Sequence, residues 1–385
     1  MHTARLHSFL LYVMITPRVS DIVGIINVLA PFSSAEEWDN VGLQVGDPAA
    51  FADKIMVALD AGGPAVEAAV NSQCRLLLTH HPMIFRPLKR LSAAEPLGRL
   101  LSLAIGNDLA VISLHTNFDL ARGGVNDLLA ARLGLINCEP LKKTSTEELV
   151  KLSVFVPKGH EEQVMEALFP VCGAIGNYRD CSFRAEGIGT FRPLEGSEPF
   201  LGVIGRREHV GESRIEVLLR KRDMNAAVKA LRAAHPYEEP AFDLYPLLNK
   251  GDAAGLGRIG ELSQAVPLAE FTVRMKQSLG LHGARFVGDA DRPVRKVAVC
   301  GGSGASLWRE AVARGADVLV TGDIKYHEAR DAEEQGIALV DAGHFATERP
   351  MVRGLAELLT AELANRGFAA EITTFEGERD PFRYI

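Results

Sequence analysis

Two adjacent histidines, His80 and His81, close the apolar run RLLLT and are followed by Pro82. Asp119 follows a second apolar run, and His344 and Glu348 follow a third. Imidazole and carboxylate are metal ligands, and three histidines with two carboxylates suit zinc, iron or manganese better than calcium or magnesium, which prefer all-oxygen shells. Neighbours on a regular strand point to opposite faces, so His80 and His81 can serve one site only where the strand is ending. Pro82 favours such an ending. The four-residue spacing of His344 and Glu348 puts both on one face if a helix starts there. Five ligands are too many for one zinc with an open position. They suit two divalent cations sharing a bridging carboxylate, as in two-metal hydrolases.

Other polar residues could do chemistry beside such a centre. His115, four before Asp119, is a candidate general acid/base or a hydrogen-bond donor behind a ligand. Asp39, with Asn40 in a turn after Trp38, could orient a water or a histidine, or cap the turn. His327, four after Asp323, could reach substrate. The loop Gly301-Gly302-Ser303-Gly304 joins a strand to a helix but lacks the Walker lysine and the dinucleotide spacing, so it reads as a tight turn. His235, in the turn HPYEEP, reads as structural or as a trimer contact.

These residues sit on an internal echo. Ile55–His81 reads strand, helix, strand and ends in His80-His81; Val297–Asp323 reads the same way and ends in Gly322-Asp323. A third strand in the first half, LAVISLHTNFD, matches IALVDAGHFATE in the second. Near-continuous apolar strands alternating with helices predict two related α/β halves with buried, largely parallel sheets. In such sheets ligands gather beyond the carboxyl ends of the strands, where the polar clusters fall. We place the first half at 20–145 and the second at 255–385. Between them, 149–248 has a different rhythm, strand–helix–strand twice over, which predicts an inserted ferredoxin-like α+β domain. Residues 1–19 are expected to be disordered or to precede the true start, with Met14 the alternative initiator.

Composition sets limits. The chain has 385 residues, 47% of them apolar and 24% charged, ordinary for a globular protein of two or three units. A net charge of −7 offers no general attraction for nucleic acid or an anionic membrane. The five cysteines are scattered with no CxxC, which fits a reducing, cytoplasmic setting rather than a disulfide framework or a thiolate zinc site. The short apolar run near residue 10 is too short to span a membrane, and no other stretch is a candidate.

The stretches WDNVGLQVG (38–46), LLLTHHPMIF (76–85), HTNFD (115–119), GGVNDLLA (123–130), TGD (321–323) and GHFATE (343–348) together resemble the NIF-three-like dinuclear-metal family, also called GTP cyclohydrolase I type 2 homologues. The resemblance runs from about Ser20 to the C-terminus. It implies that His81 and Asp119 hold one metal, that His80 and His344 hold the other, and that Glu348 bridges them. It also implies a homohexamer of two trimers around a cavity into which the sites open. The inserted segment resembles the PII/CutA-like insert of the longer members. The family name implies ring opening of GTP or a related small molecule. Two functional classes follow: a metal-dependent hydrolase, or a non-catalytic metal store, metallochaperone or regulator.

Overall fold

In the computed structural model, which describes residues 14–383, the chain clusters into two compact units. One is formed by the chain up to Thr144 and from Ala254 onward; the other is Ser145–Ala253.

The first unit is mixed α/β and holds two sheets. In one, the parallel strands Lys54–Ala58, Leu76–Thr79 and Ala110–Ser113 lie side by side, with Gly42–Val45 antiparallel on the Ala110–Ser113 edge. Every residue of Leu76–Thr79 and Ala110–Ser113 is buried, which explains why these strands show no polar alternation. The other sheet places Pro293–Val299, Val318–Thr321 and Ala338–Asp341 in parallel, bounded by antiparallel Arg285–Val287 and the end of Phe242–Pro267. The registers match: Thr79 lies opposite Ser113, and Thr321 opposite Asp341. The echo in the sequence is thus an echo in structure, with His80-His81 and Gly322-Asp323 at equivalent strand ends.

Three features differ from the sequence expectation. The last helix and strand of the chain belong to the first sheet. Glu371–Thr374 pairs in parallel with Lys54–Ala58, and Met351, Leu355 and Leu359 of the helix Pro350–Asn365 share a core with Ile55, Leu76 and Ile112. HTNFD is not strand, because the strand ends at Ser113 and a short helix, Thr116–Leu120, begins. Residues 14–19 are placed: the Ile15 N–H donates to the Gly367 carbonyl, and fully buried Val19 opens the helix Val19–Leu29. The rest of the expected disordered start, residues 1–13, lies outside the described residues.

Within Ser145–Ala253 the elements run in the order strand, helix, strand, strand, helix, strand. The strands lie side by side as Ser182–Phe191, Glu208–Arg220, Ile136–Pro157 and Phe242–Pro267. Val150, Leu152, Val154 and Val156 alternate onto one face, where they meet Val164 and Leu168 of the helix Glu161–Leu168 and Ala227 and Leu231 of Met224–Ala234. His235 is buried here. Its Nε2–H donates to the Phe155 carbonyl, and its Nδ1 accepts from the Tyr237 N–H, so it is a structural histidine. Among the described residues no helix is long and apolar enough to cross a membrane.

Candidate metal centre

The carboxyl ends of both sheets of the first unit supply the site. After Thr79 the backbone turns, with the N–H groups of His80 and His81 both donating to the Leu59 carbonyl. This turn brings the two neighbouring imidazoles together, their ring centroids 5.0 Å apart. His344 and Glu348 lie one turn apart on the helix His344–Glu348, which Gly343 enters at φ +79°. Asp119 projects from the helix Thr116–Leu120.

Each histidine is oriented from behind. His80 Nδ1 donates to the Leu114 carbonyl at 2.8 Å, His81 Nδ1 to Asp60 Oδ1 at 2.8 Å, and His344 Nδ1 to Asp323 Oδ2 at 2.7 Å. A neutral imidazole that donates from Nδ1 has its lone pair on Nε2, so all three are held in the tautomer that presents Nε2 as a ligand. His80 Nε2 lies 3.7 Å from Asp119 Oδ1 and 3.6 Å from Glu348 Oε1. His81 Nε2 and His344 Nε2 lie 3.1 and 3.2 Å from Glu348 Oε2. Ligands about 2.0–2.1 Å from one tetrahedral cation are separated by about 3.3 Å, so these spacings fit shared coordination. Asp119 sits beside His80, and His344 shares the Glu348 Oε2 atom with His81.

Burial gives the second test of fit. His80 is fully buried and Glu348 is 3% exposed. His80 Nε2, Asp119 Oδ1 and Glu348 Oε2 are buried without a hydrogen-bond partner, although burying a polar atom unsatisfied costs about 1–3 kcal/mol. Three such atoms within one ligand cluster are a liability for a protein alone and an asset for a cation site. Without a cation the cluster holds protons. Burial opposes charge on His81, but Asp60 and Glu348 outweigh it and push its pKa up to about 10. Glu348 pushes His344 up to about 9 despite burial. Burial pushes Asp119 up to about 6, against the pull of His80. Glu348 is buried too, yet the histidines around it hold it well below the usual carboxylate range.

His115 joins the cluster from the side, its ring centroid 5.2 Å from His80 and 5.6 Å from His81. Its Nδ1 donates to Asp39 Oδ1 at 2.9 Å, and Asp39 Oδ2 accepts from the Thr116 N–H at 3.0 Å. Burial would raise the pKa of Asp39, but these bonds from His115 and Thr116 hold it low. Asp39 therefore stands behind His115 rather than in reach of a substrate. Asn40 donates from Nδ2 to the Ile84 carbonyl and does not meet the histidines it was expected to orient. His327 takes no part in either group of close ligand atoms; it is exposed, with its ring 5.4 Å from Tyr326.

The sequence reading missed Asp60. It follows the strand Lys54–Ala58 at the same sheet end as His81, a position that could have marked it. It also missed Glu378, whose carboxylate accepts from the N–H groups of Leu59 and Asp60. The glycine loop is a turn whose amides are used internally: Gly301 N–H donates to Asn126, Gly302 N–H to Thr347, and Gly304 N–H to Thr321. A cavity of about 570 Å³ opens beside His81 and His344, and Asp60, Asp323, Phe345 and Phe382 also line it.

Residues 17–381 match the family Duf34/NIF3 (NGG1p interacting factor 3). A Bacillus subtilis protein named GTP cyclohydrolase 1 type 2 homolog is 42% identical over 365 residues, 94% of this chain and 98% of that one. A Mycobacterium tuberculosis protein of the same name is 38% identical over 89% of this chain and 91% of its own length. The crystal structure of a Bacillus cereus protein related to NIF3 is similar with a TM-score of 0.87 and 41% identity, covering 96% of this chain and all of that one. A Staphylococcus aureus protein, SA1388, follows at a TM-score of 0.70 and 30% identity over 96% and 99% of the two chains. The chain belongs to the Duf34/NIF3 family.

Proposed function

We propose that the protein is a metal-dependent hydrolase acting on a purine nucleotide or a related small molecule, through two divalent cations held by His80, His81, Asp119, His344 and Glu348. The observation that carries the reading is the convergence of three Nε2 atoms, each with its Nδ1 already donating, on the buried carboxylate of Glu348. Zinc, iron or manganese would suit this donor set. When bound, such cations supply Lewis acidity and make water a nucleophile near neutral pH.

The chain's own residues add the proton handling. His115, fixed through Nδ1 by Asp39, has Nε2 left to take a proton from an attacking water or give one to a leaving nitrogen or oxygen. A purely storing centre has no need of a carboxylate-backed histidine beside its ligands, which favours hydrolysis over the metal-store or regulator reading. The name of the relatives points to GTP, and the step we propose for it is addition of water at C8 of the purine. The order and side-by-side arrangement of the strands in Ser145–Ala253 support reading that unit as a ferredoxin-like, PII/CutA-like insert. A cytoplasmic homohexamer of two trimers completes the proposal and rests on the family resemblance and on the scattered cysteines.

The test is elemental analysis of protein purified without added metal, joined to turnover assays on a nucleotide panel that includes GTP. About two metals per chain with metal-dependent loss of GTP is the expected result. Two metals with no turnover of any member would move the reading to storage or regulation. No metal after reconstitution would defeat it.

A further inference from the structure

Trp38 and Phe85 stand beside the candidate centre without a role in it. Trp38 is 59% exposed and Phe85 46%, although large aromatic side chains are normally among the more buried ones. Their centroids are 5.9 Å apart with planes at 67°, and each ring meets His115, at 5.9 and 6.4 Å. The two rings and the imidazole form a corner that opens to solvent. We propose that Trp38 and Phe85 are a stacking platform for a planar heteroaromatic ring of the substrate, which they present to His115 and the cation cluster. The proposal rests on the hydrolase reading and names the residues that hold the substrate's ring.

The platform is built rather than incidental. The loops that carry the two rings are cross-linked through both polar atoms of one peptide residue. Asn40 Nδ2 donates to the Ile84 carbonyl at 2.6 Å, and the Ile84 N–H donates to Gln44 Oε1 at 2.9 Å. Gln44 Nε2 in turn donates to the Asn40 carbonyl at 2.7 Å. On the other flank, the Glu36 N–H donates to Thr116 Oγ1, and Thr116 is bonded to Asp39. The backbone on both sides of Trp38 is thus anchored, which places its ring beside Phe85 and His115. Leaving two aromatic faces in water has a solvation cost that a bound ring would relieve, and base–aromatic stacking tolerates many ring types. Two side chains are far too small a surface for a stable interface between proteins, which buries about 800 Å² on each partner.

The sequence has two tryptophans, and the other, Trp308, is only 6% exposed, so quenching of emission by a ligand reports on Trp38. Full-length zinc-loaded protein would be titrated with guanosine, adenosine and uridine monophosphates and with ribose 5-phosphate, which lacks the ring. Emission and equilibrium dialysis would be read together. At least one nucleotide should quench saturably and bind about tenfold or more tighter than ribose 5-phosphate. Trp38→Ala should lose most of that difference, Trp38→Phe should restore it, and Phe85→Ala should reduce it, all at unchanged zinc content. The proposal falls if no nucleotide outbinds ribose 5-phosphate, if Trp38→Ala binds as the unaltered protein does, or if acrylamide cannot reach Trp38. Ring-dependent binding without turnover would instead defeat the hydrolase reading and leave the platform standing.

Discussion

Asp323 Oδ2 accepts from His344 Nδ1 at 2.7 Å, and on the other side of the cluster Asp60 Oδ1 accepts from His81 Nδ1 at 2.8 Å. The two α/β halves thus each place an aspartate just beyond a strand end and use it to aim one histidine. Such carboxylates fix the tautomer and raise the basicity of the ligating nitrogen, and losing one typically weakens metal binding about 10- to 100-fold. Asp60→Ala and Asp323→Ala should each show a loss of that size in competition with a chelator, with Asn at either position keeping part of the affinity. Unchanged affinity in both alanine variants would remove the aspartates from the site.

Gly302 marks how close the glycine loop comes to the cluster. A Cβ there would lie 2.3 Å from Glu348 Oε1 and 3.2 Å from His344 Nε2, and the residue has φ +61°. Both the space and the backbone therefore require glycine. Gly302→Ala should displace the Glu348 carboxylate and lower bound metal, as elemental analysis would show. Gly315→Ala serves as the comparison: it shares a positive φ of +67° but has open space, and its metal content should be unaltered.

The ligand-type residues were legible in the sequence because histidine and carboxylate side chains at the ends of apolar runs are conspicuous against so much Leu and Val. The α/β character was legible for the same reason. Asp60 was not, because a single aspartate after a strand looks like any turn residue until the fold brings His81 beside it. Nor was the strand Glu371–Thr374 assigned to the first sheet. Its partner, Lys54–Ala58, lies more than three hundred residues earlier, and four residues carry no signal of so distant a pairing. Side-chain direction at the strand end was not legible either: the turn after Thr79 decides which imidazole faces Asp119, and strand periodicity says nothing about a turn.

Arg258 ties the two sequence halves of the first unit together. Its guanidinium, 3% exposed, donates to both oxygens of Asp127 and to the carbonyls of Ala121, Gly255 and Gly257. Removing one member of a fully buried charge pair costs about 3–5 kcal/mol. Asp127 is 27% exposed and also accepts from the Gly123 N–H, so the loss here should fall below that range. Arg258→Met should lower the denaturation midpoint accordingly, with the double variant Arg258→Met, Asp127→Leu recovering part of the loss. Denaturant titration followed by circular dichroism reads both, and a single variant as stable as the parent would show that the pair contributes little.

His235 makes the inserted unit sensitive to acid. Burial, against the help of the Phe155 carbonyl, lowers its pKa below the ordinary 6.5, with the charge of His160 acting in the same direction. Its Nδ1 already accepts from the Tyr237 N–H, so a proton arriving there must break that bond. In the unfolded chain the same imidazole takes a proton at its ordinary pKa. Above that value both states are neutral and the full contribution to stability is present. As pH falls from about 6.5 through the lowered folded value, the unfolded state binds the proton first and stability drops. Amide hydrogen exchange in the helix Met224–Ala234 should therefore accelerate between pH 7 and pH 5, after correction for intrinsic rates. His235→Leu should be less stable at pH 7, with the Phe155 carbonyl left unpaired, yet should lose this part of the pH dependence. If the acceleration persists undiminished in His235→Leu, the acid sensitivity belongs to another group.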